Sequence, residues 1–205
     1  MEPIIKAFMN IPTTCISDCM NGLNNMDPAI KTLEEGYKMA GRALTVKIPV
    51  GDNLVLLKAI REAKSGDVLV IDTKGDQYRA IAGDFIIGMA QTLGAHAFVV
   101  DGVIRDIVDI KKLNFPVFAR GAAVASSANV GAGEINISIS CGGTAVNPGD
   151  IIVGDANGVV VIPQALEQEV LDKALAKLKK DEKREKEVSG NAEAIKKYID
   201  QMISK

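Results

Sequence analysis

One short segment, DGVIRD at residues 101–106, brackets an arginine between two carboxylates. Gly102 predicts a tight turn here, which would let Asp101, Arg105 and Asp106 face one small pocket. A carboxylate with bound waters suits Mg²⁺ or Mn²⁺, and the oxygens of a 2-oxo acid could complete the ligand shell. The alternative is a surface ion pair in which Asp106 caps the following helix.

A second segment, AIAGDFI, places Gly83 directly before a predicted helix. A glycine lets the backbone approach a ligand closely, and the free amides of Asp84, Phe85 and Ile86 at the helix N-terminus would form a site for a carboxylate. The alternative is an ordinary turn glycine, followed by an aspartate that favours the positive end of the helix dipole.

Together the two segments suggest one reaction centre. A cation at Asp106 would polarise a ketone, Arg105 would stabilise the developing enolate oxygen, and the amides after Gly83 would hold the carboxylate. This arrangement suits cleavage of a carbon–carbon bond to give an enolate. The general base stays open between a metal-bound water, Asp101 and Asp84.

Other catalytic patterns fit the sequence less well. Asp72, at the end of VLVID, either supports a substrate or caps its own loop, and the cap is favoured. The single histidine, His96, precedes a buried strand and is interpreted as a structural residue with satisfied hydrogen bonds. No GxSxG elbow accompanies it to form a triad, and GAGEINISISCGG lacks the GxxxxGK[ST] pattern of a P-loop.

The elements that must position these residues alternate between strands and helices. GRALTVKIPV predicts a strand and NLVLLKAIREAKSGD a helix; then come a strand VLVID, a loop TKGDQYRAIAG, a helix DFIIGMAQTL and a strand AFVVDG. This order predicts a right-handed βαβ unit with parallel strands. Because α/β sheets bind ligands at the carboxyl ends of their strands, we expect both segments to meet at that edge.

The second half of the chain changes to strands and turns. After a short helix, RDIVDIKKL, come PVFARG, AAVASSA, INISIS, TAVNPGDIIVGD and GVVVIP. The Gly, Pro and Asn residues between these segments are typical of turns, and the pattern predicts an antiparallel β-layer. The α/β half and the β-rich half are therefore expected as successive layers of one α/β domain, residues 1–162.

Residues 163–205 form a charge-rich C-terminal extension. One apolar stripe at helical spacing predicts an amphipathic helix that breaks at Gly190. The stripe consists of Leu166, Val170, Ala174, Leu175 and Leu178. A solvated surface helix is the favoured interpretation, and packing on the domain or across a subunit boundary is the alternative.

The N-terminal segment PTTCISDCMNGLN has a threonine capping signal before a short helix that Gly22 could end. The cysteines, Cys15, Cys19 and Cys141, are odd in number, and their spacing fits neither a CxxC motif nor a zinc knuckle. We interpret all three as reduced, small and mostly buried side chains.

The bulk properties exclude several classes of function. A formal net charge of −2 and a pI near 5.5 give no basic field for a polyphosphate backbone, so no direct nucleic-acid ligand is expected. No apolar run reaches the roughly 18–20 residues that span a bilayer, and MEPIIKAFMN lacks the pattern of a secretory signal. We therefore expect no membrane partner and a cytoplasmic location.

These segments together resemble a known family. The stretch GDVLVIDTKGDQYRAIAGDFIIGMAQTLGAHAFVVDGVIRDIVDI, with PVFARG and VNPGDIIVGDANGVVVIP, is similar to the family shared by 4-hydroxy-4-methyl-2-oxoglutarate aldolases and the regulator of ribonuclease activity A. The resemblance covers most of the chain, including ISDCMNGL and the final helix. Its distinctive element is DGxxRD, with Arg105 placed 22 residues after Gly83.

The resemblance implies a swivelling β/β/α, phosphohistidine-domain-like fold, and a homotrimer or dimer of trimers with sites near subunit boundaries. It implies that Arg105 contacts the substrate and that Asp106 holds the divalent metal, Mg²⁺ or Mn²⁺. The implied substrate loop is Gly83, Asp84, Phe85 and Ile86. The implied activity is retro-aldol cleavage of a 4-hydroxy-2-oxo acid, or decarboxylation of oxaloacetate, because both reactions release the same pyruvate enolate.

Two positions depart from the family pattern. Family members commonly have glutamate after the loop glycine, where this chain has the shorter Asp84. Some aldolases also use a C-terminal acidic residue of a neighbouring subunit, and Glu182, Glu185 and Glu187 leave its counterpart unassigned.

Two other functions stay open at this point. One is a protein regulator that binds and inhibits a ribonuclease, which would need no metal-binding aspartate. The other is a lyase or isomerase that acts on a sugar acid, because the fold and the metal site do not fix the distal part of a substrate pocket.

Overall fold

The computed structural model describes residues 1–204. Its helices are α1 (Pro3–Phe8), α2 (Thr13–Cys19), α3 (Leu54–Glu62), α4 (Asp84–Thr92), α5 (Ile107–Lys112), α6 (Glu167–Val188) and α7 (Ala192–Ile203), with a 3-10 turn at Gln164–Leu166. Its strands are β1 (Lys31–Thr32), β2 (Met39–Lys47), β3 (Val68–Asp76), β4 (Arg79–Ala80), β5 (Ala97–Ile104), β6 (Val117–Ala122), β7 (Ala125–Ser126), β8 (Glu134–Ile135), β9 (Ile139–Cys141), β10 (Thr144–Val146), β11 (Ile151–Asp155) and β12 (Gly158–Ile162).

A mixed sheet organises the molecule, in the order β1-β6-β5-β3-β2-β11-β12, with β8 also paired to β2. Strand β2 joins the two parts of this sheet. Its residues 39–42 pair antiparallel with β11, and its residues 43–47 pair parallel with β3. The protein is therefore a mixed α/β fold, as the sequence predicts.

Strands β3, β5 and β6 are parallel neighbours that α4 and α5 connect, so the predicted βαβ unit is confirmed. The assignment of PVFARG and AAVASSA to an antiparallel layer was wrong. PVFARG contains β6, which is parallel to β5 because α5 first carries the chain back across the sheet. AAVASSA contains β7, which pairs parallel with β4, whereas β11 and β12 form the expected antiparallel pair.

Gly102 is a strand residue and does not form the tight turn that the sequence suggested. Strand β5 continues to Ile104, and β3 continues to Asp76, so part of the predicted loop TKGDQYRAIAG is strand. A Cβ on Gly102 would overlap Oγ1 of Thr73, and this hydroxyl donates to the carbonyl oxygen of Asp101 at 2.6 Å. Gly102 is required because the two strands approach too closely for a side chain.

Three apolar clusters hold the layers together. Helices α3, α4 and α5 cover one face of the parallel strands, and β9, β11 and β12 pack on the other face. Helices α1, α2 and α6 cover the outer face of β11 and β12. The β-rich half thus lies against the parallel strands, and close packing on both faces makes their carboxyl ends a rigid platform.

The N-terminal helices differ from the sequence prediction. Helix α1 was not predicted. Helix α2 begins at Thr13, but its N-cap is Pro12, and no side chain caps the helix. Thr13 instead donates its amide and hydroxyl to the carboxylate of Asp155 at 2.9 and 2.7 Å, so the capping prediction was wrong because a distant residue binds the hydroxyl. The chain leaves α2 as expected, with the Gly22 amide donating to the Ser17 carbonyl oxygen at 2.9 Å.

The C-terminal extension consists of two helices with the predicted break at Gly190, where φ is +78°. Helix α6 packs on its own domain and buries Val170, Leu171 and Ala174. Helix α7 buries none of its residues. Within residues 1–204, no helix has both the length and the apolar character needed to cross a membrane.

The cysteines match their interpretation as reduced side chains. All three are free; Cys15 and Cys141 are buried, and Cys19 is half-buried. Burial raises the pKa of the Cys141 thiol well above its ordinary value. A thiol with a raised pKa is a poor nucleophile at neutral pH, so this cysteine is a packing residue.

Candidate active site

Arg105 and Asp106 lie where β5 ends, at the carboxyl edge of the parallel strands. The Arg105 amide donates to the Ala82 carbonyl oxygen at 3.0 Å, which ties the pair to the segment before α4. Asp106 has a left-handed backbone, φ +60°, and its carbonyl oxygen accepts the amides of Asp109 and Ile110 at 3.0 Å. Asp106 is therefore the N-cap residue of α5, and only its backbone carbonyl bonds to the helix. Its carboxylate makes no capping hydrogen bond.

The side chains of this pair remain accessible. Nε of Arg105 is 3.3 Å from Oδ2 of Asp106, and the side chains are 45% and 40% exposed. An ion pair this exposed adds little to stability, and it leaves donors and lone pairs free for a ligand. A Cβ on Gly83 would overlap Oδ2 of Asp106 and lie 3.3 Å from Cγ of Arg105. The structure thus brings the two sequence-predicted segments into contact.

Helix α4 begins beside this pair. The first amide to bond back within the helix is that of Ile87, which donates to the Gly83 carbonyl oxygen at 3.1 Å. The amides of Asp84, Phe85 and Ile86 find no acceptor among residues 1–204. Three free amides at the positive end of a helix form a binding site for an anion such as a carboxylate.

These groups line one cleft of about 160 Å³. Its walls are formed by the segment before α4, the first turn of α4 and the end of β5. Strand β7 and the residue that precedes α3 complete them. They are Asn53, Ala80, Ile81, Ala82, Gly83, Asp84, Phe85, Ile86, Arg105, Asp106 and Ser126. A second hollow of about 330 Å³ adjoins the pair and is lined by Arg105, Asp106, Ala122, Ala123 and Val124.

The structure does not bring Asp101 into this cleft. One carboxylate oxygen of Asp101 accepts from Nε of Arg120, and the other accepts the amide of Gly142 at 2.9 Å. Arg120 also donates to Asp27 at 2.8 Å. Burial alone would lower the pKa of Arg120, but its ion pairs with Asp27 and Asp101 raise it. Asp101 belongs to this buried network because alternation along β5 directs its side chain toward the β-rich layer.

Asp72 caps its own loop, which is the favoured one of its two sequence interpretations. Its carboxylate accepts the Lys74 amide at 2.9 Å and contacts Nζ of Lys74 at 3.0 Å. This turn accommodates Lys74 at φ +61°. Asp72 is 1% exposed, so it is part of the structural support of β3.

His96 has no role at the cleft, because it precedes β5 at the opposite edge of the sheet. Its Nε2 is buried and has no hydrogen-bond partner within the described part of the chain, so the expectation of satisfied hydrogen bonds was wrong. Burial lowers the pKa of His96 and favours the neutral ring. A neutral imidazole nitrogen costs less to bury than a charged one, which is why the residue fits here.

Two cleft residues, Asn53 and Ser126, were missed by the sequence analysis. Asn53 precedes α3, and its Nδ2 donates to the Ile81 carbonyl oxygen at 3.4 Å. Next to it, Asp52 accepts four amides, from Leu54, Val130, Gly131 and Ala132. The run GDN before a predicted helix was the available signal for Asn53, whereas Ser126 is brought in only by the pairing of β7 with β4.

The donor set at the cleft can be tested against a divalent cation. Within residues 1–204, no group of three or more His, Cys, Asp and Glu side chains is placed to hold a metal ion. A hard cation would therefore take one protein carboxylate, that of Asp106, and fill its other positions from water and substrate oxygens. Mg²⁺ is commonly held by one or two carboxylates in this way, so the donor set fits it.

Comparison with known proteins agrees with this architecture. A protein of Halalkalibacterium halodurans named "Putative 4-hydroxy-4-methyl-2-oxoglutarate aldolase" is 55% identical over 199 residues, which cover 97% of this chain and 95% of that protein. The crystal structure of an uncharacterized Pseudomonas syringae protein aligns with a TM-score of 0.83 at 27% identity, covering 96% of this chain and 92% of that one. The RNA-processing inhibitor RraA of Thermus thermophilis aligns with a TM-score of 0.69 at 27% identity, covering 76% and 94%.

The family model for RraA-like proteins, described as Aldolase/RraA, matches residues 13–161. This match spans α2 to β12 and includes both the loop at Gly83 and the pair Arg105–Asp106. It agrees with the resemblance that the DGxxRD element indicates. On the strength of this match and of the 55% identical relative, the chain belongs to the RraA-like family.

Proposed function

We propose that this protein is a divalent-metal-dependent lyase that cleaves a 4-hydroxy-2-oxo acid by a retro-aldol reaction and releases pyruvate. One observation carries the proposal: Gly83 lies so close to Asp106 that the helix N-terminus and the Arg105–Asp106 pair form a single cleft. The 55% identical relative bears the name of an aldolase of this type, which supports the same reaction class.

The free amides of Asp84, Phe85 and Ile86 bind the substrate carboxylate. Because their positions are fixed by α4, they hold the adjacent ketone toward Arg105 and Asp106 without reorganising during the reaction. Arg105 donates hydrogen bonds to the ketone oxygen as it gains the negative charge of an enolate. The same enolate forms when oxaloacetate loses carbon dioxide, so we extend the proposal to oxaloacetate decarboxylation.

Asp106 would hold the divalent cation, Mg²⁺ or Mn²⁺. When bound, the cation supplies Lewis-acid polarisation of the 2-oxo group. The chain's own contribution is to keep the Asp106 carboxylate uncapped and facing the cleft. Asp101, whose oxygens bind Arg120 and the Gly142 amide, is removed from the candidate general bases, while Asp84 stays at the cleft.

The direct test is pyruvate release from 4-hydroxy-4-methyl-2-oxoglutarate and from oxaloacetate, with Mg²⁺, with Mn²⁺ and with excess chelator. We expect release that the chelator abolishes and that added Mg²⁺ restores. Release that is unchanged by the chelator would contradict the metal assignment. The absence of release from both acids under all conditions would contradict the lyase proposal.

A second candidate function is inhibition of a ribonuclease by protein contact, and the structural likeness to the RNA-processing inhibitor favours it. This function would depend on the protein surface and not on Asp106. A mixture of the protein with a ribonuclease of the type that such inhibitors bind would then lose RNA cleavage. The variant Asp106→Asn would inhibit equally well, which separates this role from catalysis.

We further propose that the protein is a homotrimer or a dimer of trimers and that its fold is of the swivelling β/β/α type. The three-layer packing of helices, parallel strands and β-rich strands supports the fold assignment. For assembly, the support is the exposed apolar side of α7, where Ile195, Ile199, Met202 and Ile203 are 38–78% exposed. Light scattering of wild type and of Ile199→Asp tests it, because a charge on a buried interface should shift the mass toward the monomer.

A further inference from the structure

Part of the cleft wall comes from the two short strands β4 and β7. Ala80 and Ser126 line the cleft there, and they are register partners in the parallel pairing of these strands. The Ser127 amide donates to the Ala80 carbonyl oxygen at 3.1 Å and holds the two short strands together. Arg79, directly before Ala80 in β4, is not itself a lining residue, so its side chain begins beside the part of the wall that Ala80 forms.

Arg79 is exposed and has no salt-bridge partner among residues 1–204. The two neighbouring aspartates, Asp76 and Asp52, make no ion pair with it, and Oδ2 of Asp76 is buried without a hydrogen-bond partner in the described chain. Asp76 accepts the backbone amides of Tyr78 and Arg79 through Oδ1, and Asp52 is occupied by four amides of neighbouring loops. The guanidinium therefore keeps its donors for a group from outside the chain.

The stem of Arg79 has a defined path. It crosses Gly51, where a Cβ would lie 2.9 Å from Cδ and 3.5 Å from Nε of Arg79. Gly51 has φ +79°, a conformation that favours glycine, and it is two residues from Asn53 in the cleft wall. The aliphatic part of the Arg79 side chain thus lies against the segment that leads to Asn53. It fills the space that a side chain at position 51 would occupy.

We propose that Arg79 binds the distal carboxylate of a dicarboxylic 2-oxo acid and so selects diacids over monoacids. This inference rests on the proposed function of the cleft. The first-turn amides of α4, with Arg105 and Asp106, accommodate the carboxylate and ketone at one end of the substrate. A planar guanidinium at the other end matches a second carboxylate with two parallel hydrogen bonds.

Binding is tested by calorimetry in the presence of Mg²⁺ with 2-oxoglutarate and 2-oxopentanoate, which differ in a distal carboxylate or methyl group. Arg79→Gln should weaken 2-oxoglutarate binding by about tenfold or more and change 2-oxopentanoate binding by less than about twofold. Arg79→Lys should be intermediate, because it keeps the charge but loses the fork. Arg61→Gln, at an exposed arginine of α3, is the matched control and should leave both affinities unchanged.

Turnover separates this inference from the proposed function. Arg79→Gln should lower kcat/KM for 4-hydroxy-4-methyl-2-oxoglutarate and leave that for 4-hydroxy-2-oxopentanoate unchanged. If binding of the diacid depends on Arg79 but neither acid is cleaved, the lyase proposal fails and the Arg79 assignment stands. The assignment is overturned if Arg79→Gln weakens both acids equally, weakens neither, or if the wild-type protein does not bind 2-oxoglutarate.

Discussion

Two arginine–aspartate pairs near the end of β5 use the same chemical groups in different surroundings. Arg120 and Asp101 have side chains 15% and 10% exposed, and each makes a further contact, to Asp27 and to the Gly142 amide. The pair Arg105–Asp106 is 45% and 40% exposed, with a longer separation of 3.3 Å and no further protein partner in the described chain. Asp101 and Asp106 come from one six-residue segment, so sequence proximity does not decide what a carboxylate does.

The two pairs differ in how many of their hydrogen-bonding groups already have a partner in the protein. A buried ion pair has already lost its hydration, so its remaining donors and acceptors must be filled by the protein, and no capacity is left for a ligand. An exposed pair keeps its hydration and can exchange water for substrate oxygens. The comparison gives Asp101 a structural role and leaves the Asp106 carboxylate available to a ligand, and both statements can be tested by substitution.

The largest expected effect is on stability, from Arg120→Met. This change leaves Asp101 and Asp27 without their shared cation, and loss of one partner from a buried pair costs about 3–5 kcal/mol. Urea denaturation would measure the lower free energy of unfolding. A loss below about 1 kcal/mol would show that this pair is no more structural than the exposed one.

The next effect is on catalysis, from Asp106→Asn. Asparagine tolerates the left-handed backbone at this position but removes the charge that would hold the cation, so kcat/KM should fall roughly 10²–10³-fold. The free energy of unfolding should change by less than about 0.5 kcal/mol. Asp109→Asn, which removes an exposed carboxylate one turn later in α5, is the control and should retain full activity.

A third test uses Gly83→Ala, which adds one methyl group against Asp106. Gly83 has φ −123°, which alanine adopts freely, so the effect comes from the displaced carboxylate, and we expect kcat/KM to fall about 10²-fold. Gly88→Ala in the same helix is the matched control, since its Cβ would meet only Leu113 methyl groups at 4.0 Å. That control should keep its activity and gain about 0.5–1 kcal/mol of stability. Equal activities of the two variants would contradict the close contact.

The smallest expected effect is on stability, from substitution of Asp52. This third carboxylate accepts hydrogen bonds from backbone amides, whereas Asp101 and Asp106 each pair with an arginine. Burial would raise its pKa, but the hydrogen bonds from Leu54, Ala132, Gly131 and Val130 lower it. A lowered folded-state pKa stabilises the protein above the ordinary pKa of an aspartate in the unfolded chain, and this contribution is lost as the pH falls through the folded-state pKa. Asp52→Asn should cost about 1–3 kcal/mol at pH 7 and less in acid.

Urea denaturation at pH 7 and below pH 4 would measure this difference, with Asp200→Asn on α7 as the exposed control. The control should follow the wild-type protein at both pH values. A constant difference between wild type and Asp52→Asn at both pH values would show that the ionised form of Asp52 is not what stabilises its loop.

The site could be predicted from sequence to the extent that it depends on local order. Gly83 and the Arg105–Asp106 pair were found because each follows or precedes a regular element with a clear pattern. Asp101 was included with them because sequence spacing does not record the face of β5 on which a side chain lies. Asn53 and Ser126 were missed because they enter the cleft through pairing of distant segments.

By itself, the sequence determined the βαβ unit, the α/β class, the break at Gly190 and the two segments that line the candidate cleft. These features depend on hydrophobic periodicity, backbone preference and residue type, which act over a few neighbouring positions. Only the tertiary structure decided that β6 is parallel, that Gly102 lies in a strand, and that Gly83 contacts Asp106. Those outcomes depend on which distant surfaces pack together, because contacts between residues far apart in the chain are set by the burial of whole faces.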